Sequence, residues 1–267
     1  MLDVAAARSV EQTTGHLTRH FYAAYRSPRE AVLEGFHPAR HAIAFGATLD
    51  VAVTYDRDRL LRLASRVAPS TLPAIEGVLC VVGREQFANL SQRSLSSPLL
   101  ATCKRPQQRL DDVLASSPKP VVYLDRPRNP GNVGAVIRVA AAAGVGAVVL
   151  SGNVDPWSPV VLRSATGLQF ALPVGDAGTF ISETDRPVVA LDVDGEPLPS
   201  SELDPTSVLV VGAERYGLSP RLRALARRTI GVPMQPGVSS LNLATALAAV
   251  LFSWRSSAQE RTGAYPW

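Results

Sequence analysis

Apolar positions along the chain change their rhythm near its middle. From residue 120 onward they come as short, nearly continuous runs rich in β-branched residues: Val121 to Leu124, Ala147 to Leu150, Val188 to Val193, Val208 to Val211 and Thr229 to Pro233. Runs with so little polar alternation are those of strands covered on both faces. Between them lie amphipathic or small-residue helical patterns, Gly134 to Ala143, Pro159 to Gly167 and Leu241 to Trp254. Strand and helix in alternation predict an α/β domain with a parallel sheet over 120–267.

Residues 28–103 alternate less regularly. Helical spacing is expected from Pro38 to Ile43, Arg59 to Val67 and Glu85 to Leu90, with extended chain over Val51 to Thr54 and Gly77 to Val82. This predicts a smaller amino-terminal α/β/α domain over 27–106, preceded by a helical extension over 1–26. The polar, proline-punctuated stretch that follows, 107–119, is expected as a linker.

Composition changes this picture little. The 267 residues suffice for one large or two smaller cores, and 46% hydrophobic with 19% charged residues is ordinary for a soluble globular protein. Met1 to Glu11 lack the basic patch and apolar run of a signal peptide. Leu241 to Trp254, interrupted by Asn242 and Thr245, falls short of the roughly 20 apolar residues that span a bilayer. A cytoplasmic protein without a membrane partner is expected. Cys80 and Cys103 make neither a disulfide framework nor a metal site, and His16, His20, His37 and His41 have no acidic or cysteine cluster beside them; no metal is expected. The net charge is +4, and Lys104 and Lys119 are the only lysines. Arginine suits phosphate, because its fork donates two parallel hydrogen bonds; an arginine-biased genome accounts for the same composition.

Three segments carry candidate chemistry, each a strand end, a glycine-containing loop and a helix start. The first runs from Asn129 to Gly144, NPGNVGAVIRVAAAAG. Asn132 is suited to cap the helix that follows, and Arg138 sets a permanent charge in an otherwise small-residue helix. The spacing of Gly131 and Gly134, with the second strand ending Leu150-Ser151-Gly152 and no acidic residue in place there, argues against a dinucleotide fingerprint. The second segment, Val210 to Ser219, places Gly212 at a strand's carboxyl end, where open α/β sheets bind ligands, with Glu214 in the loop. In the third, Ile230 to Met234 leads to Ser239, Ser240, Leu241 and Asn242, with either serine suited to cap the last helix.

In this order and spacing the segments resemble the signature motifs of the SpoU (TrmH-like) family, within the SPOUT class of RNA 2′-O-methyltransferases. Asn132 and Arg138 match its N-x5-R pattern, Gly212, Glu214, Gly217 and Ser219 match G-x-E-x-x-G-x-S, and Ser240, Leu241 and Asn242 match S-L-N. The resemblance implies a deep trefoil knot, a homodimer packed through it, and S-adenosylmethionine as cofactor. It implies a cofactor site from Val211, Gly212, Ala213, Ile230, Val232, Met234, Ser239 and Leu241. Arg138 is implied as the catalytic residue, with Asn132, Glu214, Ser240 and Asn242 around it. Residues 30–103, opening with Glu34 and Gly35, are more loosely similar to the ribosomal-protein-like RNA-binding domain of many members, which implies ribosomal RNA as partner. Transfer RNA as substrate, or a non-catalytic RNA-binding or ribosome-assembly role, are the alternatives left open.

Overall fold

The first sheet is covered on both faces because its strands alternate apolar side chains. In β1 (Glu30–Glu34), Ala31 and Leu33 pack on one side with Phe36, Ala39 and Ala42 of α2 (Phe36–Ala44) and Leu60 and Ala64 of α3 (Arg57–Val67). Val32, one residue out of phase, points to the other side. There it meets Leu17, Phe21 and Ala24 of α1 (15–24) and Phe87 and Leu90 of α5 (Arg84–Leu90). The structure is a computed structural model and describes residues 15–91, 93–107, 110–197, 203–213 and 216–262. With β2 (Leu49–Thr54), β3 (Leu79–Val81) and β4 (Leu100–Lys104), the strand order is β1-β4-β2-β3. β4 runs antiparallel to both neighbours, and β3 runs parallel to β2. Asp56 caps α3 by accepting the Arg59 N–H at 3.0 Å.

The chain divides into two units that are not continuous in sequence: Met1–Pro106 with Trp157–Phe170, and Gln107–Pro156 with Ala171–Trp267. The returning segment carries α8 (Pro159–Ser164), whose Leu162 joins Phe170 in the α2–α3 side of the first core. It also brings Arg163 to Glu34. The Glu34 carboxylate, its side chain 2% exposed, accepts from Arg163 Nη1 at 2.5 Å and from the Tyr25 hydroxyl at 3.0 Å. A buried carboxylate needs such partners to stay charged.

The second unit holds β5 (Val121–Asp125), β6 (Ala147–Leu150), β7 (Val174–Asp176), β8 (Val188–Pro197), β9 (Val208–Gly212) and β10 (Arg228–Gly231). Their order is β10-β8-β9-β5-β6-β7, every pair parallel. Thr229 pairs with Ala190, but the next residue, Ile230, pairs with Glu196. Leu191–Gly195 therefore bulge out of the ladder with β10 inside β8, while Leu191 still pairs with Val211 of β9. Gly195 rejoins where a Cβ would lie 2.3 Å from the Ile230 carbonyl carbon, so only glycine passes there. From β10, at the sheet edge, the chain returns to lay α11 (Leu243–Thr262) against α7 (Pro130–Ala143). Arg255 of α11 donates to the Ala143 carbonyl at 2.9 Å, satisfying the end of α7.

Several boundaries differ from those expected. Stretch 107–119 contains α6 (Leu110–Ser116), which buries Leu114 against Val121 and Ala147, because Leu110, Val113 and Leu114 recur at helical spacing. The described part of the expected extension, 15–24, is a covering layer of the first sheet. β1, β4 and β7 have no counterpart among the expected strands. Each is short, and charged residues end β1 and β4.

Replacing Arg163 by Met would strand the buried Glu34 carboxylate and is expected to cost about 3 kcal/mol. A urea titration reports this as a lower midpoint, and an unchanged midpoint would show that the pair contributes nothing to the first core.

Candidate functional site

Strand ends and glycines place the three motif segments together. β5 ends in Asp125, buried at 4%, whose carboxylate accepts the Ser219 N–H at 2.8 Å and the Arg126 Nε–H at 3.2 Å. This ties the loop after β9 to the end of β5. That loop folds back on itself: Gly217 N–H donates to Ala213 O at 2.8 Å, and a Cβ on Gly212 would lie 2.2 Å from the Gly217 carbonyl carbon. Gly217 itself has φ +60°. Glycine at 212 is thus required by backbone passing backbone.

The carboxyl ends of β8 and β9 border a cavity of about 730 Å³. Val211, Gly212 and Ala213 form one wall, and Val232, Met234, Ser239, Ser240 and Leu241 close another. Asn132 and Asn242 complete it, with Asn242 Nδ2 donating to Asn132 Oδ1 at 3.1 Å. Asn242 also caps α11, its Oδ1 accepting from Ala244 N at 3.0 Å and Thr245 N at 3.4 Å. One asparagine therefore starts the last helix and reaches α7.

Two expected caps fall elsewhere. Asn129, not Asn132, caps α7, accepting from Gly131 N at 2.9 Å, because Pro130 opens the helix and moves Asn132 inside its first turn. Asn242 takes the role expected of Ser239 or Ser240, since α11 begins at Leu243. Both shifts turn an asparagine side chain toward the cavity.

Other site residues are placed differently. Ile230 is fully buried in β10 and is not among the residues lining the cavity. Arg138 is exposed on α7, about 120° around the helix from Asn132, and does not line the cavity of its own chain. Glu214 lies outside the described residues.

Sequence reasoning passed over the bulge in β8. Leu191, Asp192, Val193 and Asp194 all line the cavity, and Asp192 Oδ2 is paired at 2.6 Å with Arg223 Nη2. Arg223 and Tyr216 line it too. The signal was present: an apolar run ending in two acids marks the carboxyl end of a strand, where such sheets bind. Elsewhere, His20 and His41 serve structural contacts, with Thr102 Oγ1 at 2.8 Å and Thr166 O at 2.6 Å. Burial pushes the Cys103 thiol up to about 12. Among the described residues no group of three His, Cys, Asp or Glu is placed to hold a metal, and no helix is long and apolar enough to cross a membrane.

The model of the SpoU rRNA Methylase family matches residues 119–252, half of the chain. The chain belongs to this family. Its SpoU relatives include the 23S rRNA (uridine(2479)-2'-O)-methyltransferase of Streptomyces viridochromogenes, 27% identical, with 84% of this chain and 81% of that protein covered. The 23S rRNA (guanosine(2553)-2'-O)-methyltransferase RlmP of Bacillus subtilis is also 27% identical, covering 84% and 88%. Among solved structures, the SpoU methyltransferase AviRb of Streptomyces viridochromogenes, in complex with AdoMet, superposes with a TM-score of 0.73 at 25% identity. That match covers 92% of this chain and 98% of AviRb. The SpoU family match includes every segment that walls the cavity.

The Asn242 contacts generate a two-part prediction. Asn242→Ala removes the cap of α11 and is expected to cost about 1 kcal/mol. Asn242→Asp keeps the capping oxygen and loses the donor to Asn132, so thermal unfolding should spare it while cofactor affinity, measured by calorimetry, falls. Equal affinity in Asn242→Asp and the unaltered protein would show that the bridge to Asn132 does not shape the cavity.

Proposed function

We propose that this chain is an S-adenosylmethionine-dependent methyltransferase that methylates a ribose 2′-hydroxyl in ribosomal RNA, acting in the cytoplasm. The observation that carries the reading is the cavity where the three SpoU segments meet at the ends of β8 and β9. Its counterpart protein AviRb has been seen with AdoMet, and relatives of similar length are named for 2′-O-methylation of 23S rRNA. The cavity fits such a cofactor: its volume suits a ligand of that size, and apolar Val211, Val232 and Leu241 face polar Ser239, Asn132 and Asp192.

When bound, S-adenosylmethionine supplies an electrophilic methyl group on a sulfonium. Val211, Gly212, Ala213, Val232, Met234, Ser239 and Leu241 would hold it, with Ile230 supporting from beneath. Much of the acceleration then comes from alignment. A ribose hydroxyl is a weak nucleophile, so charge must be stabilised on its oxygen as it reacts. Arginine's pKa, above about 12, makes a guanidinium a poor base but a good oxyanion partner. Arg138 would grip the adjoining phosphate and stabilise the 2′-oxygen, phosphate or water would take the proton, Asn132 and Asn242 would orient the substrate and Arg138, and Ser240 and Glu214 would hold the pocket.

Arg138 faces away from its own cavity, which supports a homodimer in which it serves a neighbouring site. Small and apolar side chains are exposed or half-exposed near it, Ala135, Val139 and Ala142 on α7, and Ala249, Phe252 and Ser253 are likewise open on α11, with Arg255 turned onto the α7 carbonyls. A knotted path is supported by β10 at the sheet edge, by the bulge at Leu191–Gly195, and by the return to α7 past the ends of β8 and β9. The amino-terminal unit, 27–106, is read as the RNA-binding domain. Exposed Arg59, Arg62 and Arg66 share one face of α3 and suit a phosphate backbone.

Incubation with methyl-labelled S-adenosylmethionine and unmodified ribosomal RNA should leave label in a dinucleotide that resists alkali. Label in transfer RNA alone would move the substrate assignment, and no label despite cofactor binding would refute the catalytic reading. Arg138→Ala should bind cofactor as before and lose at least about 100-fold in turnover, the scale of one lost oxyanion donor; undiminished turnover would remove Arg138 from the chemistry.

A further inference from the structure

Tyr216 is an aromatic residue that the motif pattern leaves free and that the fold holds in the open. It lines the cavity, yet its side chain is 64% exposed. Tyr216 N donates to Ala213 O at 3.2 Å, and Gly217 N donates to the same oxygen at 2.8 Å. The ring is braced on one face: the Arg128 guanidinium carbon lies 4.6 Å from its centroid. Arg128 comes from the loop just before the Asn129 cap, so the contact joins the first motif loop to the second. Arg128 is itself exposed and has no acidic partner among the described residues.

A large apolar ring at a cavity mouth is not placed there by core packing. With a cation near the ring and about two thirds of the residue exposed, surface remains for a flat partner. A nucleobase has a flat face whatever its identity, and its phosphates bring the negative charge that an exposed arginine attracts.

We propose that Tyr216, braced by Arg128, is a nucleobase-stacking site at the mouth of the cavity, positioning an RNA base beside the reacting ribose. The proposal rests on the reading of the chain as an RNA methyltransferase, but stacking is measurable without turnover. Tyr216 is thereby a positioning residue that touches substrate through its π face, and the hydroxyl is not needed.

The test is direct binding of unmodified 23S rRNA by the full chain without cofactor, comparing Tyr216→Leu, Tyr216→Phe and Tyr216→Trp with the unaltered protein. Leucine preserves apolar bulk and removes the π face, so its Kd should rise about 5- to 100-fold. Phenylalanine and tryptophan should bind within about threefold of tyrosine, a rescue that a packing role would not give. Affinity for S-adenosylmethionine and oligomeric state should not change in the leucine variant. Unchanged RNA affinity in Tyr216→Leu would overturn the proposal. So would parallel loss in Tyr216→Phe, which would point to the hydroxyl, or a parallel loss of cofactor affinity or of dimer, which would assign the ring to those contacts. Absence of methyl transfer by a protein whose RNA binding still depends on the ring would overturn the activity and leave the stacking site in place.

Discussion

Backbone passing backbone without an intervening side chain is the constraint on which the carboxyl-terminal site depends. Gly212 lies against Gly217, and Gly195 lies against Ile230, at separations where a Cβ has no room. The first contact folds the loop after β9 tightly enough to expose its peptide edge to the cavity. The second lets β8 leave its ladder with β10 for Leu191–Gly195 and rejoin it. Substitution at either glycine would displace main chain, because the opposing atoms belong to peptide groups that cannot rotate away. The cavity is therefore specified by two contacts that bury almost no apolar surface, while the sheet beneath is specified by ordinary burial.

Polar side chains then fasten the loops that those contacts shape. Asp125 holds the Ser219 end of one loop to β5, and Asp192 holds the bulge of β8 to Arg223 of α10 (Pro220–Leu225). Asn242 joins the start of α11 to α7. Arg186 does similar work at the far side, donating to the carbonyls of Thr206, Leu114, Ser117 and Lys119. Each fastening links segments distant in sequence by a charged or amide group with several partners, which sets geometry more tightly than apolar contact does.

How much of this was legible in the sequence follows from the range of each interaction. The buried parallel strands were visible because burial on both faces leaves an unbroken apolar run, and Ala147–Leu150 has the limits the run predicts. The three motif segments were visible as local strand–glycine–helix patterns, and most of their residues do meet at the cavity. Asp192 and Asp194 were marked only as the acids that end an apolar run, and their place at the cavity depends on the register jump between β8 and β10; Arg223 and Tyr216 reach it from α10 and the loop after β9, which no local pattern encodes. The caps of α7 and α11 were misplaced by one helical turn or less, because Asn129, Asn132, Ser239, Ser240 and Asn242 are all competent caps. Only the position of Pro130, and of Leu243 as first helical residue, decides among them. The return of Trp157–Phe170 to the first unit was invisible for the same reason as the register jump: Leu162 and Phe170 look like core residues, with nothing nearby to say which core.

That return has an implication for how such a protein is made and remade. Because Arg163, Leu162 and Phe170 complete the amino-terminal core, that core cannot finish until the ribosome has synthesised well past the start of the second sheet. The first unit is thus completed only after the first strands of the second have been made. Nor can the amino-terminal unit be exchanged between relatives as a single contiguous cassette: a transplanted 1–106 arrives without the arginine its buried glutamate was built to meet. Recombination within this architecture must carry two pieces at once, which favours change by point substitution over change by domain shuffling.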